Sequence, residues 1–213
     1  MFTGFSAETI DFLWGIRMNN DREWFAQHKE QYTNYVYRPM KELGAQLFQP
    51  FLDTPGNLLK VSRIYRDARL HHPLPYKETL WLCIRKDVEW WAENPCLFLE
   101  LRPEGVEYGL LWWKPRPAML ERLRQTEPEK LLRLVEQAEA ATGLPVLAQT
   151  YKKPKPAPKP ELERVFAWKS GIVCTRTEEV GEAMFSPELA DRAGKLFHEL
   201  TPLYEFLCKY AVE

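Results

Sequence analysis

Apolar residues recur along the first fifty positions at steps of three and four, the spacing that gathers side chains on one helical face. Phe12, Leu13 and Ile16 predict a short first helix, which Ser6 can cap while Phe5 and Ile10 stand as a hydrophobic staple. Asn20, with Glu23 three positions on, makes a box-like start for a second, longer helix. Its stripe runs through Phe25, His28, Tyr32, Tyr35 or Val36, Met40, Leu43, Leu47 and Phe51, and Pro39 inside it predicts a kink or break near Tyr37 and Arg38.

Beyond Pro55-Gly56 the pattern becomes β. Residues 58–65 and 79–85 are rich in branched and aromatic side chains and predict strands, separated by turn formers and prolines. The clearest hairpin joins 96–102 to 106–113 through Pro103-Glu104-Gly105, with Leu97, Leu99 and Leu101 alternating with Phe98, Glu100 and Arg102. About four antiparallel strands result. Pro117 and Pro128 stand near the starts of two more helices, Thr126 with Glu129 resembles a capping box, and Gly143 is the stop. Residues 151–161 hold four prolines and four lysines, so they run extended on the surface. A crossing loop inside one domain of residues 1–213 is the expectation, an interdomain linker the alternative. The tail predicts a helix over 161–168, a short strand over 171–176, and a last helix opened by Ser186-Pro187-Glu188. The fold class is α+β, a mainly antiparallel sheet of about four or more strands packed with N-terminal, middle and C-terminal helices.

The 213 residues are 45% hydrophobic and 28% charged, the make-up of a soluble globular protein. With 29 basic and 30 acidic side chains the net charge is -1, so any case for nucleic acid or an anionic membrane has to rest on a local patch. Cys83, Cys96, Cys174 and Cys208 form no C-x-x-C pair and read as reduced core thiols. The first eleven residues lack the basic and apolar regions of a signal peptide, and no apolar run nears the roughly 20 residues of a membrane span. A cytoplasmic protein with no membrane partner is expected.

Phosphate loops, G-x-G-x-x-G turns, H-E-x-x-H helices and G-x-S-x-G elbows are all missing. His71 and His72 are adjacent, which suits solvated loop side chains better than a shared ion, so neither a metal site nor a cofactor is expected. The dense constellation is Arg63, Arg66, Asp67 and Arg69, closing at Tyr76 and Lys77. On a continuous strand Arg63 and Arg66 would face opposite ways, so a shared site requires a bend near Arg66 and Asp67. Given that bend, Arg66 and Arg69 could fork onto one carboxylate or phosphate while Asp67 orients a guanidinium. The structural alternative is an ion-pair network that pins the loop, with Tyr76 over a guanidinium.

These residues carry a family resemblance. The opening Phe12, Leu13, Asn19, Asn20, Trp24, Phe25 and Tyr32, followed by R-x-x-R-D-x-R (Arg63, Arg66, Asp67, Arg69) and P-Y-K (Pro75, Tyr76, Lys77), resembles the uncharacterised bacterial family called domain of unknown function 2461. Parts of that family also occur within longer fungal proteins, and the likeness spans nearly the whole chain. Arg116-Pro117, the stretch from Leu120 to Arg124, and Lys169 add weaker matches. Two departures stand out: Leu70 replaces the family's Phe, and its Asp-Lys pair before P-Y-K is missing, with the shorter His71-His72-Pro73-Leu74 in its place. The resemblance implies no activity, cofactor or partner, but it places the arginine segment and the Trp24 helix start in one local environment.

The leading expectation is recognition of a small anionic group by Arg66, Arg69 and Lys77, with Arg63 and Asp67 supporting and Asn20 and Trp24 lining a neighbouring wall. Whether chemistry follows binding is open, with Tyr76, Lys77, Asp67 or a histidine of the 71–72 pair as candidate groups. The second expectation is a protein-interaction or scaffold module built on eight Trp, nine Tyr and eleven Phe. Because adjacent strand residues face opposite ways, one of Trp112 and Trp113 is exposed unless helices cover both faces of the sheet, and coverage of both is expected. Weak nucleic-acid binding through lysines 152, 153, 155 and 159 is a third, unfavoured reading.

Overall fold

The structure, a computed structural model, describes residues 1–67, 69 and 73–211, so the expectations for Leu70, His71 and His72 fall outside the described residues. The β pattern folds into β1 (Asn57–Val61), β2 (Leu80–Lys86), β3 (Cys96–Arg102), β4 (Gly105–Trp112), β5 (Leu147–Thr150) and β6 (Trp168–Glu179). They form one sheet in the order β1-β2-β3-β4-β6-β5, every neighbouring pair antiparallel. The short β5 lies outside the sequence expectation, and β6 is twice the predicted strand because Trp168 opens it, where a helix was expected to end.

Register decides which side chains are buried. Leu82 pairs with Leu99 and Leu99 with Tyr108, so Leu80, Leu82, Ile84, Leu97, Leu99, Leu101, Tyr108, Leu110 and Trp112 share one face and are all fully buried. At roughly 1.5–3 kcal/mol per buried aliphatic or aromatic side chain, this face is the main source of cohesion. Gly109 in β4 has φ +149°, and a Cβ there would stand 2.1 Å from the Cys174 carbonyl oxygen, so the β4–β6 approach needs glycine.

Seven helices are labelled: α1 (Ala7–Met18), α2 (Arg22–Gln31), α3 (Arg38–Phe48), α4 (Pro117–Thr126), α5 (Pro128–Thr142), α6 (Glu163–Ala167) and α7 (Glu188–Ala211). α3 packs on β1 and β2, α7 on β3 and β4, and α5 lies behind α7. The expected coverage of both faces is therefore corrected. The helices bury the Leu-rich face, whereas on the other Trp113 is 61% exposed while its neighbour Trp112 is fully buried. Polar and aromatic side chains at alternate positions satisfy that open face without a second layer.

The regular α-helix is interrupted just ahead of Pro39, where α3 begins anew at Arg38. Pro39 stands in the first turn of α3, and Tyr32–Tyr37 before it forms a π-type turn. Lacking an N–H, Pro39 cannot bond the carbonyl four residues back, and the Thr9 hydroxyl donates to that Tyr35 carbonyl instead. The same Thr9 oxygen accepts from the Ser6 N–H at 3.1 Å, closing the start of α1. Two caps shift by one residue from expectation. Asp21 caps α2, its carboxylate accepting from the Trp24 N–H at 2.8 Å, and Glu127 precedes α5 while the Thr126 hydroxyl turns back to the Arg122 carbonyl. Gly143 ends α5 with φ +68°. Residues 151–161 lie along α4 and α5, where Lys155 and Lys159 pair with Glu121 and Glu129.

Thr9→Val keeps the shape of a fully buried side chain but strips the Tyr35 carbonyl of its donor. A loss of about 1–3 kcal/mol is expected, read as a lower urea midpoint with unchanged slope. Glu127 accepts from Lys209 at 2.7 Å, from the Tyr210 hydroxyl and from Lys130 at 3.2 Å, and these donors hold its carboxyl down at about 2. A carboxylate depressed in the folded state stabilises above its unfolded value of about 4.3, and that contribution is lost as pH falls through about 2. Glu127→Gln is thus expected to melt below wild type at pH 7 and together with it below pH 2.

Candidate functional site

β1 lies at the sheet edge, and beyond Val61 its pairing with β2 continues as a narrow extension. The Lys77 N–H donates to the Ile64 carbonyl at 2.7 Å, the Arg66 N–H to the Pro75 carbonyl at 2.9 Å, and Tyr65 bridges Tyr76. An isolated two-stranded ribbon is marginal in water, so it needs an anchor. Asn20 supplies it: its amide N–H donates to the Tyr76 carbonyl and its carbonyl accepts the Tyr76 N–H, both at 3.0 Å. The Tyr76 ring stacks on Phe25 at 4.3 Å between centroids. The two sequence blocks that carry the family resemblance thus meet in space.

At the base of this extension, on the open face, is a depression of about 510 Å³. Lys60, Arg63, Arg66, Lys77 and Arg85 line it, with Tyr65, Trp81 and Trp91 as aromatic walls. The pleat accounts for the gathering. Lys60 stands opposite Cys83, which places it on the face that carries Trp81 and Arg85. Ser62 fixes the exit from β1 through two bonds with Trp81, its N–H to the carbonyl at 2.8 Å and its hydroxyl accepting the N–H at 3.0 Å. The chain then leaves the regular pleat, and Arg63 and Arg66 both reach the depression.

Charge is unbalanced there. Among the described residues, five cations face one lining carboxylate, Asp67, a surplus of four. Asp67 is engaged by Arg69, which donates Nε at 3.0 Å, Nη2 at 2.6 Å and its own N–H at 3.0 Å. Glu78 takes Arg17 at 2.9 Å and stands 3.8 Å from Arg66. Among the described residues no carboxylate forms an ion pair with Lys60, Arg63, Lys77 or Arg85. The Lys77 ammonium donates to the Arg63 carbonyl at 2.7 Å and lies 5.8 Å from the Trp81 ring centre. Burial, and then the neighbouring Arg63 and Arg66 charges, hold the Lys77 amine below the usual lysine range.

Of the residues singled out in the sequence, Arg63, Arg66, Asp67 and Lys77 come together on this lining. Arg69 stands outside it, 87% exposed and turned onto Asp67. Asn20 and Tyr76 sit on the helical side of the extension and hold it, whereas Trp24 packs between α1 and α2, off the lining. Trp24 stacks on His28 at 3.9 Å and fills the space over Gly15, where a Cβ would stand 2.5 Å from the indole. Lys60, Trp81, Trp91 and Arg85 were missed. Their cue was parity, since Lys60 alternates with Leu59 and Val61, and Trp81 and Arg85 with Leu82 and Ile84. A second depression of about 420 Å³ between α3 and α7 sets Asp191 and Glu205 beside Lys195 and His198, so it carries no cationic surplus.

Asn20→Ala removes both bonds to the Tyr76 backbone and leaves the Asp21 cap in place. Faster hydrogen exchange at Tyr76 and Lys77 is expected, with a global loss of about 1–3 kcal/mol. Unchanged exchange at those amides would show that the extension stands without Asn20.

The described residues contain no helix long and apolar enough to cross a membrane. No curated protein matches the chain. Residues 8–206 match the family described as Conserved hypothetical protein (DUF2461), and with nearly its whole length covered the chain belongs to that family.

Proposed function

We propose that this protein binds a small phosphate- or carboxylate-bearing ligand in the depression beside β1 and β2. The observation that carries the reading is the surplus, among the described residues, of four positive charges around one concave site whose lining carboxylate Asp67 is engaged by Arg69. Guanidinium forks from Arg63, Arg66 and Arg85 match the paired oxygens of either anion, and the Lys77 ammonium adds a point charge. Part of the cost of bringing these cations together would be recovered on binding, and the Lys77 amine would regain its proton affinity. Four unpaired, buried cysteines suit a reducing, cytoplasmic setting for this activity.

The test is a thermal-shift panel of inorganic phosphate, pyrophosphate and dicarboxylates on wild type and on Arg63→Ala and Arg85→Ala. An anion at 100 times its Kd stabilises by about 2.7 kcal/mol. In a chain of this length that raises the midpoint by roughly 5–10 °C. The shift is expected to shrink in both variants and to fall with added salt, as a screened charge interaction must. A panel that leaves the wild-type midpoint unmoved, or a shift that survives both substitutions, would sink this reading.

A further inference from the structure

The cationic depression does not end at its aromatic walls. Trp81 and Trp91 also border a second, apolar hollow of about 180 Å³ that continues along the open face. Its other walls are Cys83, Cys96, Phe98, Leu111 and Trp113, with Glu100 as the one charged residue among the described residues of the lining. The two indoles of the divide stand 5.9 Å apart, inclined by 31°, and form a saddle between the charged end and the apolar end. Together the two hollows fall within the roughly 300–1,000 Å³ of small-molecule sites.

We infer that the ligand is a phosphate ester of a flat heteroaromatic body, with a nucleoside diphosphate as its simplest biological form. The phosphates lie among Lys60, Arg63, Arg66, Lys77 and Arg85, and the ring lies across the saddle against Trp113. This rests on the anion-site reading above and adds to it the chemistry of the part that carries no charge.

Three features support the assignment. The hollow is floored by a pleated sheet and walled by indole and phenyl rings, surfaces that stack on planar rings of any heteroaromatic identity. Trp113 and Trp91 are 61% and 47% exposed, next to an unbalanced cationic site, so apolar surface and charge surplus occur together. Glu100 accepts from Thr79 at 2.9 Å and from Arg102 Nε and Nη2 at 2.8 and 2.6 Å. A carboxylate has about four acceptor positions, so one is left for the exocyclic amino group of a base. The same negative charge repels phosphate from the apolar end and fixes the ligand's direction.

The experiment is isothermal titration of the full chain, without magnesium, with pyrophosphate, adenosine diphosphate and geranyl diphosphate. The first carries the charged head alone, the second adds a heteroaromatic body, and the third adds an apolar chain of no planarity. Adenosine diphosphate is expected to bind about 10-fold tighter than pyrophosphate and more tightly than geranyl diphosphate. Trp113→Ala is expected to collapse the ratio of adenosine diphosphate to pyrophosphate affinity, and Trp113→Phe to retain most of it. Trp14→Ala, which removes an exposed indole of α1, should show the wild-type ratio. Equal affinity for pyrophosphate and adenosine diphosphate overturns the inference and leaves the anion site standing. Geranyl diphosphate binding as tightly as the nucleotide overturns it in favour of simple apolarity. If none of the three binds, the anion site falls as well.

Discussion

Alternation in β2, β3 and β4 commits nearly every aliphatic side chain of these strands, Leu111 excepted, to one face, and there α3 and α7 bury their own stripes. The opposite face must then survive in water without a second layer. It does so with ion pairs such as Arg102 between Glu100 and Glu107, with glycine at Gly109, and with large rings that tolerate partial exposure. A one-sided sheet leaves a broad surface that folding does not consume, and the cationic depression occupies it. Had helices covered both faces, Lys60 and Arg85 would have been buried charges that required partners.

The division of labour between Asn20 and Asp21 ties this surface to the helical layer. A cap needs one short acceptor, which Asp21 supplies to the Trp24 N–H, and that releases Asn20 to hold the Tyr76 backbone through both its amide atoms. Gly15 admits the Trp24 ring and so sets the angle between α1 and α2 at which Asn20 faces the extension. Thr9 does comparable work nearer the start of α1, where its hydroxyl donates to the Tyr35 carbonyl that Pro39 cannot serve. The chain from Thr9 to Tyr76 thus positions a ribbon that its own two strands could not keep in place.

Much of this was legible in the sequence because it follows from local rules. The alternation of Leu97, Leu99 and Leu101, the prolines opening α4 and α5, and Gly143 closing α5 each state a backbone requirement in one or two residues. What escaped depends on distant pairing. β5 carries mostly exposed side chains, so its sequence holds no period, and it exists because β6 offers it an edge. Asn20 and Asp21 are equally good caps by composition, and only the approach of Tyr76 separates them. Arg63, Arg66, Asp67 and Lys77 could be grouped by proximity along the chain, whereas Lys60 and Arg85 join them through the β1–β2 register.

The molecule also contains its own control for the meaning of unpaired cations. Elsewhere on this fold several arginines are paired with a carboxylate: Arg102 meets Glu100 at 2.6 Å, Arg164 meets Glu139 at 2.6 Å and Arg192 meets Glu188 at 2.8 Å. Two of the four lysines of the proline-rich segment are answered as well, Lys155 by Glu121 and Lys159 by Glu129. Acids are therefore not scarce on this surface. Lys60, Arg63, Lys77 and Arg85 stand without such partners among the described residues, and burial first, then the Arg63 and Arg66 charges, weaken the hold of Lys77 on its proton. Mutual repulsion of this kind costs stability in the empty protein. A cluster whose role was only to pin the loop would be relieved by one more glutamate, whereas an anion site must leave that place for its ligand.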